Sequence, residues 1–188
     1  MPDATIQETR LLYPLDEFYT LAGLELPRVR EIDGERMPQP YRRLLVHDHD
    51  MTPTLEAFHS ERVHVRPLQW RESGDTYARQ VVLTLNGSET PVEFGAIVIH
   101  LQHFPDIARR EILSRSRPLG TILAAHHLAH ESRPCAFIEL TSDPLMDEAL
   151  GLDGATTLYG RRNRLLTPAG EVIAEIVEIV PPLEEGTR

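Results

Sequence analysis

Two charged side chains in this 188-residue sequence stand where the pattern calls for an apolar surface. Thr156 to Val180 reads as two β-strands joined by the turn Thr167-Pro168-Ala169-Gly170, with Pro early and Gly late as a tight connection prefers. Strand side chains alternate between faces, so one face of the second strand carries Ile173, Glu175, Val177 and Ile179. Glu175 is therefore a carboxylate in an apolar row. Thr76 to Asn86 makes a second row of this kind: Tyr77, Arg79, Val81, Leu83 and Leu85, with Arg79 as the charge. A charge in such a place is costly unless it is paired, hydrogen-bonded or neutralised, and functional sites are where proteins tolerate that cost. A guanidinium clamps a carboxylate at two points. A desolvated carboxyl can donate a hydrogen bond or a proton. Arg161, Arg162 and Arg164 on the preceding strand offer Glu175 cationic partners, so a purely structural ion pair is the second reading of that residue.

The remaining reactive residue types carry less. His126, His127 and His130 form HHxxH on an expected helix, but the glutamate of a zinc-protease motif is missing and no third ligand is specified, so no metal is expected. Cys135 is the one cysteine, which excludes an internal disulfide and suits a reducing cytoplasm. There is neither a Gly-rich phosphate loop nor a Gly-x-Ser-x-Gly elbow. The net charge of −10 and pI near 5.3 disfavour nucleic acid and anionic membranes as partners. The N-terminus lacks a signal pattern, and no apolar run approaches the ~20 residues that span a bilayer. The expectation is a cytoplasmic protein, a monomer or small homo-oligomer.

The elements that must position these residues alternate in an uneven way. Helices are expected at Leu11–Leu24, Pro40–His47, after Asp50, at Pro105–Arg115, from Pro118, and at Asp143–Leu150, where Asp143 caps and Pro144 opens the first turn. Residues 25–38 read as a connector. Strands are expected at Arg62–Trp70, with Pro67 arguing for an edge or bulge, at Thr76–Asn86, in the near-continuous apolar run after Pro91, at Cys135–Leu140, and in the final hairpin. Hairpins with helices inserted between them predict an α+β domain with a mainly antiparallel sheet and helices on one face, the other face or the gap under the helices being open to a ligand.

Four segments in order carry a family resemblance: Leu45–Thr52 (LVHDHDMT), Tyr77–Leu83 (YARQVVL), Pro118-Leu119-Gly120, and Tyr159–Pro181 with its Tyr-Gly-Arg-Arg-x-Arg, turn and Glu-bearing strand. Together they resemble the chorismate pyruvate-lyase family over residues 41–182, which implies the chorismate lyase-like fold: about six antiparallel strands with helices on one face enclosing a ligand cavity. Residues 1–40 then read as an N-terminal extension and 183–188 as a polar tail. The resemblance implies a lyase that splits chorismate into 4-hydroxybenzoate and pyruvate without metal or organic cofactor. It implies that Arg79 binds the ring carboxylate, that Glu175 acts at the ether and hydroxyl end, and that Met51, Leu119 and Gly120 line the cavity. The sequence departs from the family after Gly95, where Ala96 stands in place of an arginine and the strand ends at His100. The alternative is a non-catalytic module binding an aromatic carboxylate, like the effector domains of a class of bacterial regulators that resemble the same fold. The ~40 residues ahead of the matched region are too few for the winged helix-turn-helix those regulators carry, and they are not basic.

Overall fold

The computed structural model describes residues 10–183. Its centre is a seven-stranded, wholly antiparallel sheet. In chain order the strands are β1 (Val29–Ile32), β2 (Val63–Ser73), β3 (Thr76–Leu85), β4 (Pro91–His100), β5 (Glu131–Thr141), β6 (Thr157–Leu166) and β7 (Val172–Val180). They lie side by side as β1-β5-β6-β7-β4-β3-β2. The helices are α1 (Leu15–Ala22), α2 (Tyr41–Leu45), α3 (Met51–His59), α4 (Asp106–Ser114), α5 (Leu119–Ala125) and α6 (Pro144–Leu150). This is the α+β architecture, with an antiparallel sheet, that the hairpin pattern predicts.

Local chemistry accounts for most boundaries. Asp143 caps α6, its carboxylate accepting from the Met146 N–H at 2.9 Å, with Pro144 at the first helical position. Gly170 closes the β6–β7 turn at φ 86°, a left-handed conformation that glycine adopts without steric cost. Pro67 lies on the edge strand β2, where the register shifts between Pro67 and Gln69, as a residue without an N–H demands.

Helices cover both faces rather than one. α1 and α6 pack on a face through Phe18, Tyr19, Met146 and Leu150, against Phe94, Val98, Val177 and Ile179. The four helices α2 to α5 cover the other face in two adjoining clusters, one built on Leu45, Met51 and Leu55 and the other on Ile112, Leu119 and Ile122. The reason is visible in β4, which is apolar along both parities and so must be shielded on both sides.

Two expectations are corrected. Residues 25–38 are not only a connector, because they contain the edge strand β1, paired with β5. Four residues of mixed polarity give too weak an alternation to be read alone. Within the described part of the N-terminal stretch, Leu12, Leu15, Phe18 and Tyr19 are core residues. The three histidines do not share a helix: α5 stops at Ala125 and His127 takes φ 51° in the turn that follows.

Candidate functional site

Register places the polar residues of the α2–α5 face in successive cross-strand rows. One row runs Arg79 (β3), Ile97 (β4), Ile176 (β7), Asn163 (β6). The next runs Val81, Gly95, Glu178, Arg161. Beyond it Leu83 pairs with Glu93. These rows floor a cavity of about 60 Å³, roofed by Asp50, Met51 and Thr52 at the start of α3 and by Pro118, Leu119 and Gly120 at the start of α5. The two helix starts of the roof approach closely: a Cβ on Gly120 would lie 3.1 Å from the Thr52 hydroxyl. Gly95 and Gly160 flank β7 in this floor, and a Cβ on either would overlap a carbonyl of Val177 or Glu178.

Arg79 is 2% exposed and lines this cavity. Its Nη2 donates to the Arg117 carbonyl at 3.0 Å, while Nε and Nη1 have no partner. Burial pushes its pKa down from the usual arginine value, and the neighbouring Tyr77 phenol partly opposes the shift. An incompletely bonded buried guanidinium is the arrangement that an incoming anion completes.

Arg161 is the fully satisfied counterpart. It is wholly buried, and its Nε donates to Glu178 Oε2 at 2.5 Å. Its other nitrogens donate to the His47 carbonyl at 3.0 Å and the His49 carbonyl at 2.9 Å. Arg161 thereby fixes the segment that leads into Asp50, Met51 and Thr52. Asp50 itself accepts from His130 at 2.8 Å, and this hydrogen bond raises the His130 pKa.

Glu175 is on the opposite face. It stands across from Val98, in the row of Val177 and Ile179 beneath α1 and α6. There its Oε1 accepts from Arg162 at 3.3 Å and Arg164 at 3.2 Å. The pairing of Arg79 with Glu175 in one cavity is therefore corrected: the sheet lies between them. Met51, Leu119 and Gly120 do line the cavity with Arg79. His100 ends β4 and is not among the lining residues.

Besides Asp50 in the roof, the carboxyls that line the cavity are Glu178 and Glu93. Both were findable by the parity argument applied to the other row of each strand: Ala174, Ile176, Glu178, Val180 on β7 and Glu93, Gly95, Ile97, Ile99 on β4. Glu93 is buried, and desolvation together with the adjacent Glu178 charge pushes its pKa well above the usual carboxylate range, against the opposing pull of Arg161. Among the described residues no cluster of His, Cys, Asp and Glu of a size to hold a metal occurs, and His126 instead meets Glu111 at 2.8 Å. Among those residues no helix is long and apolar enough to cross a membrane.

No family model and no curated protein matches the sequence. Solved structures do share the fold. PhnF of Mycobacterium smegmatis superposes with a TM-score of 0.56 at 12% identity, covering 88% of this chain and 92% of that one. The separate effector domain of the same protein gives 0.52 at 14% identity over 70% and 87%. YydK of Bacillus subtilis, described as a possible transcriptional regulator, gives 0.50 at 10% over 68% and 64%. The fold is thus the chorismate lyase-like α+β architecture, shared with an effector domain among these structures. The expectation of a carbon–oxygen lyase is corrected on two grounds. Of the structures that share the fold, one is described as an effector domain and another as a possible transcriptional regulator. The carboxylate assigned to the elimination faces away from the cavity.

Proposed function

We propose that the chain is a non-catalytic binding module for a small carboxylate such as an aromatic acid. The observation that carries this is Arg79, buried in the cavity with two nitrogens lacking partners. A carboxylate supplies the missing acceptors and the missing countercharge together. The apolar walls, Val81, Leu83, Ile97 and Leu165, fit a hydrocarbon body between polar ends. Arg161 keeps the roof in place whether or not ligand is bound. The role is sensing: occupancy would be read through the α3 and α5 starts that close over the ligand.

The test is calorimetry and thermal melting with benzoate, 4-hydroxybenzoate and chorismate, followed by chromatography of the mixture. Saturable binding with the acid recovered unchanged supports the module. Equimolar pyruvate and hydroxybenzoate above the spontaneous background would overturn it, and so would the absence of any response to all three acids.

A further inference from the structure

The face of the sheet turned away from the Arg79 cavity carries a buried amide with no partner at all. Gln80 follows Arg79 on β3, so its side chain leaves from the opposite face, where its strand neighbours Ala78 and Val82 join the core beneath α1 and α6. Gln80 is 1% exposed, and neither its Nε2 nor its Oε1 has a hydrogen-bond partner. Buried polar groups are almost always satisfied, so two orphans on one side chain call for an explanation. The residue lines a cavity of about 160 Å³ between α6 and the edge strand β2. Leu68, Leu145 and Ala149 give this cavity apolar surface, and Arg66 and Glu148 bring it one charge of each sign. The volume is roughly the share of five waters in the liquid, which suits a compact molecule of one ring.

The needs of Gln80 select the occupant. Its side chain presents an acceptor and a donor side by side. Turning the amide over exchanges the two atoms and leaves the requirement the same. A carboxylate offers acceptors alone and would set its charge against Oε1. An ammonium offers donors alone and would leave Nε2 unmet. A cyclic amide has N–H and C=O on one edge and meets both with two parallel bonds, as a glutamine does when it reads the edge of adenine. Because Arg66 and Glu148 are of opposite sign, the lining has no net charge to favour an ion.

We propose that this cavity is a second small-molecule site, selective for an uncharged, one-ring cyclic amide of the nucleobase kind, with Gln80 as the residue that reads its edge. The site does not depend on the carboxylate reading. It lies on the other side of β3 and shares no lining residue with the cavity of Arg79.

The probes are 2-pyridone and uracil, with 2-pyranone as the isostere of pyridone in which a ring oxygen replaces the N–H. Each is titrated into nitrogen-15-labelled protein, and NMR follows the Gln80 side-chain amide and the backbone amides of α6. The expected result is saturable shifts of these signals with both amides, and binding of 2-pyranone at least about tenfold weaker than that of 2-pyridone. Gln80→Leu is expected to fold, because the unmet polar groups go with the amide, and to abolish the response. Arg79→Met is expected to leave pyridone affinity within about twofold. Saturable shifts with neither amide would overturn the site and assign the cavity to water. Equal binding of 2-pyridone and 2-pyranone, or an undiminished response in Gln80→Leu, would overturn the reading of the edge by Gln80 and the proposal with it. The pyridone and pyranone comparison uses the wild-type chain, so it decides the matter even where the leucine variant does not fold. Failure of the aromatic acids to bind would leave this site untouched.

Discussion

Arg161 and Glu178 meet across β6 and β7, Nε donating to Oε2 at 2.5 Å, with the arginine side chain fully buried and the glutamate 5% exposed. The same guanidinium ties down the carbonyls of His47 and His49, so one side chain joins the cavity floor to the segment that roofs it. Removing one member of a buried pair leaves the other charged and unpaired, which costs about 3–5 kcal/mol. Arg161→Met is expected to lower unfolding free energy by that amount in urea melts. A second change, Glu178→Gln, should restore part of it, because the stranded charge is then gone. A loss under about 1 kcal/mol would contradict the strut role.

Arg79 should behave in the opposite way. Its burial is incompletely compensated, so Arg79→Met is expected to leave stability unchanged or to raise it by about 1 kcal/mol. Carboxylate affinity should fall about 30-fold or more, the loss expected when a buried charge partner is removed. Parallel melts and calorimetry separate the two effects.

Glu175→Gln discriminates the two faces of the sheet. Its pairs with Arg162 and Arg164 lie under α1 and α6, away from the cavity. The change should cost about 1 kcal/mol of stability and alter ligand affinity by less than about twofold. A large affinity loss would place Glu175 in the site after all.

The Asp50–His130 hydrogen bond makes a pH-dependent contribution. The folded-state pKa of His130 is raised above its unfolded value of about 6.5. Its stabilisation is therefore complete below pH 6.5 and lost as pH rises through the folded value. His47 and His59 are shifted down by burial and act in the reverse sense. The informative quantity is thus the difference between wild type and His130→Gln, which should shrink from pH 6 to pH 8 or so in thermal melts.

Gly95→Ala should destabilise by about 3 kcal/mol or more, because the new Cβ would overlap the Val177 carbonyl of the adjacent strand, which cannot step aside. The readout is the denaturant midpoint, with Gly23→Ala at an open helix end as a milder comparison.

The hairpins, the capped α6, the edge position of β2 and the general fold were legible in the sequence, because each depends on neighbours close along the chain. Arg79 was legible for the same reason: a charge in a row of alternating apolar residues needs an explanation. Parity was equally able to find Glu93 and Glu178. It could not decide between the two rows of β7, since each contains one glutamate and both rows are buried.

The sequence by itself determined six of the seven strands, which charges lie in apolar rows, and hence that a cost of burial had to be met somewhere. Only the tertiary structure decided where. Helices on both faces of the sheet make each parity of β7 a core surface, so which glutamate reaches the ligand depends on which layer covers it. The register then sets Arg161 against Glu178 and Arg164 against Glu175, turning two similar arginines into a cavity strut and a surface-side pair. Those partnerships join residues distant along the chain, and no local pattern encodes them.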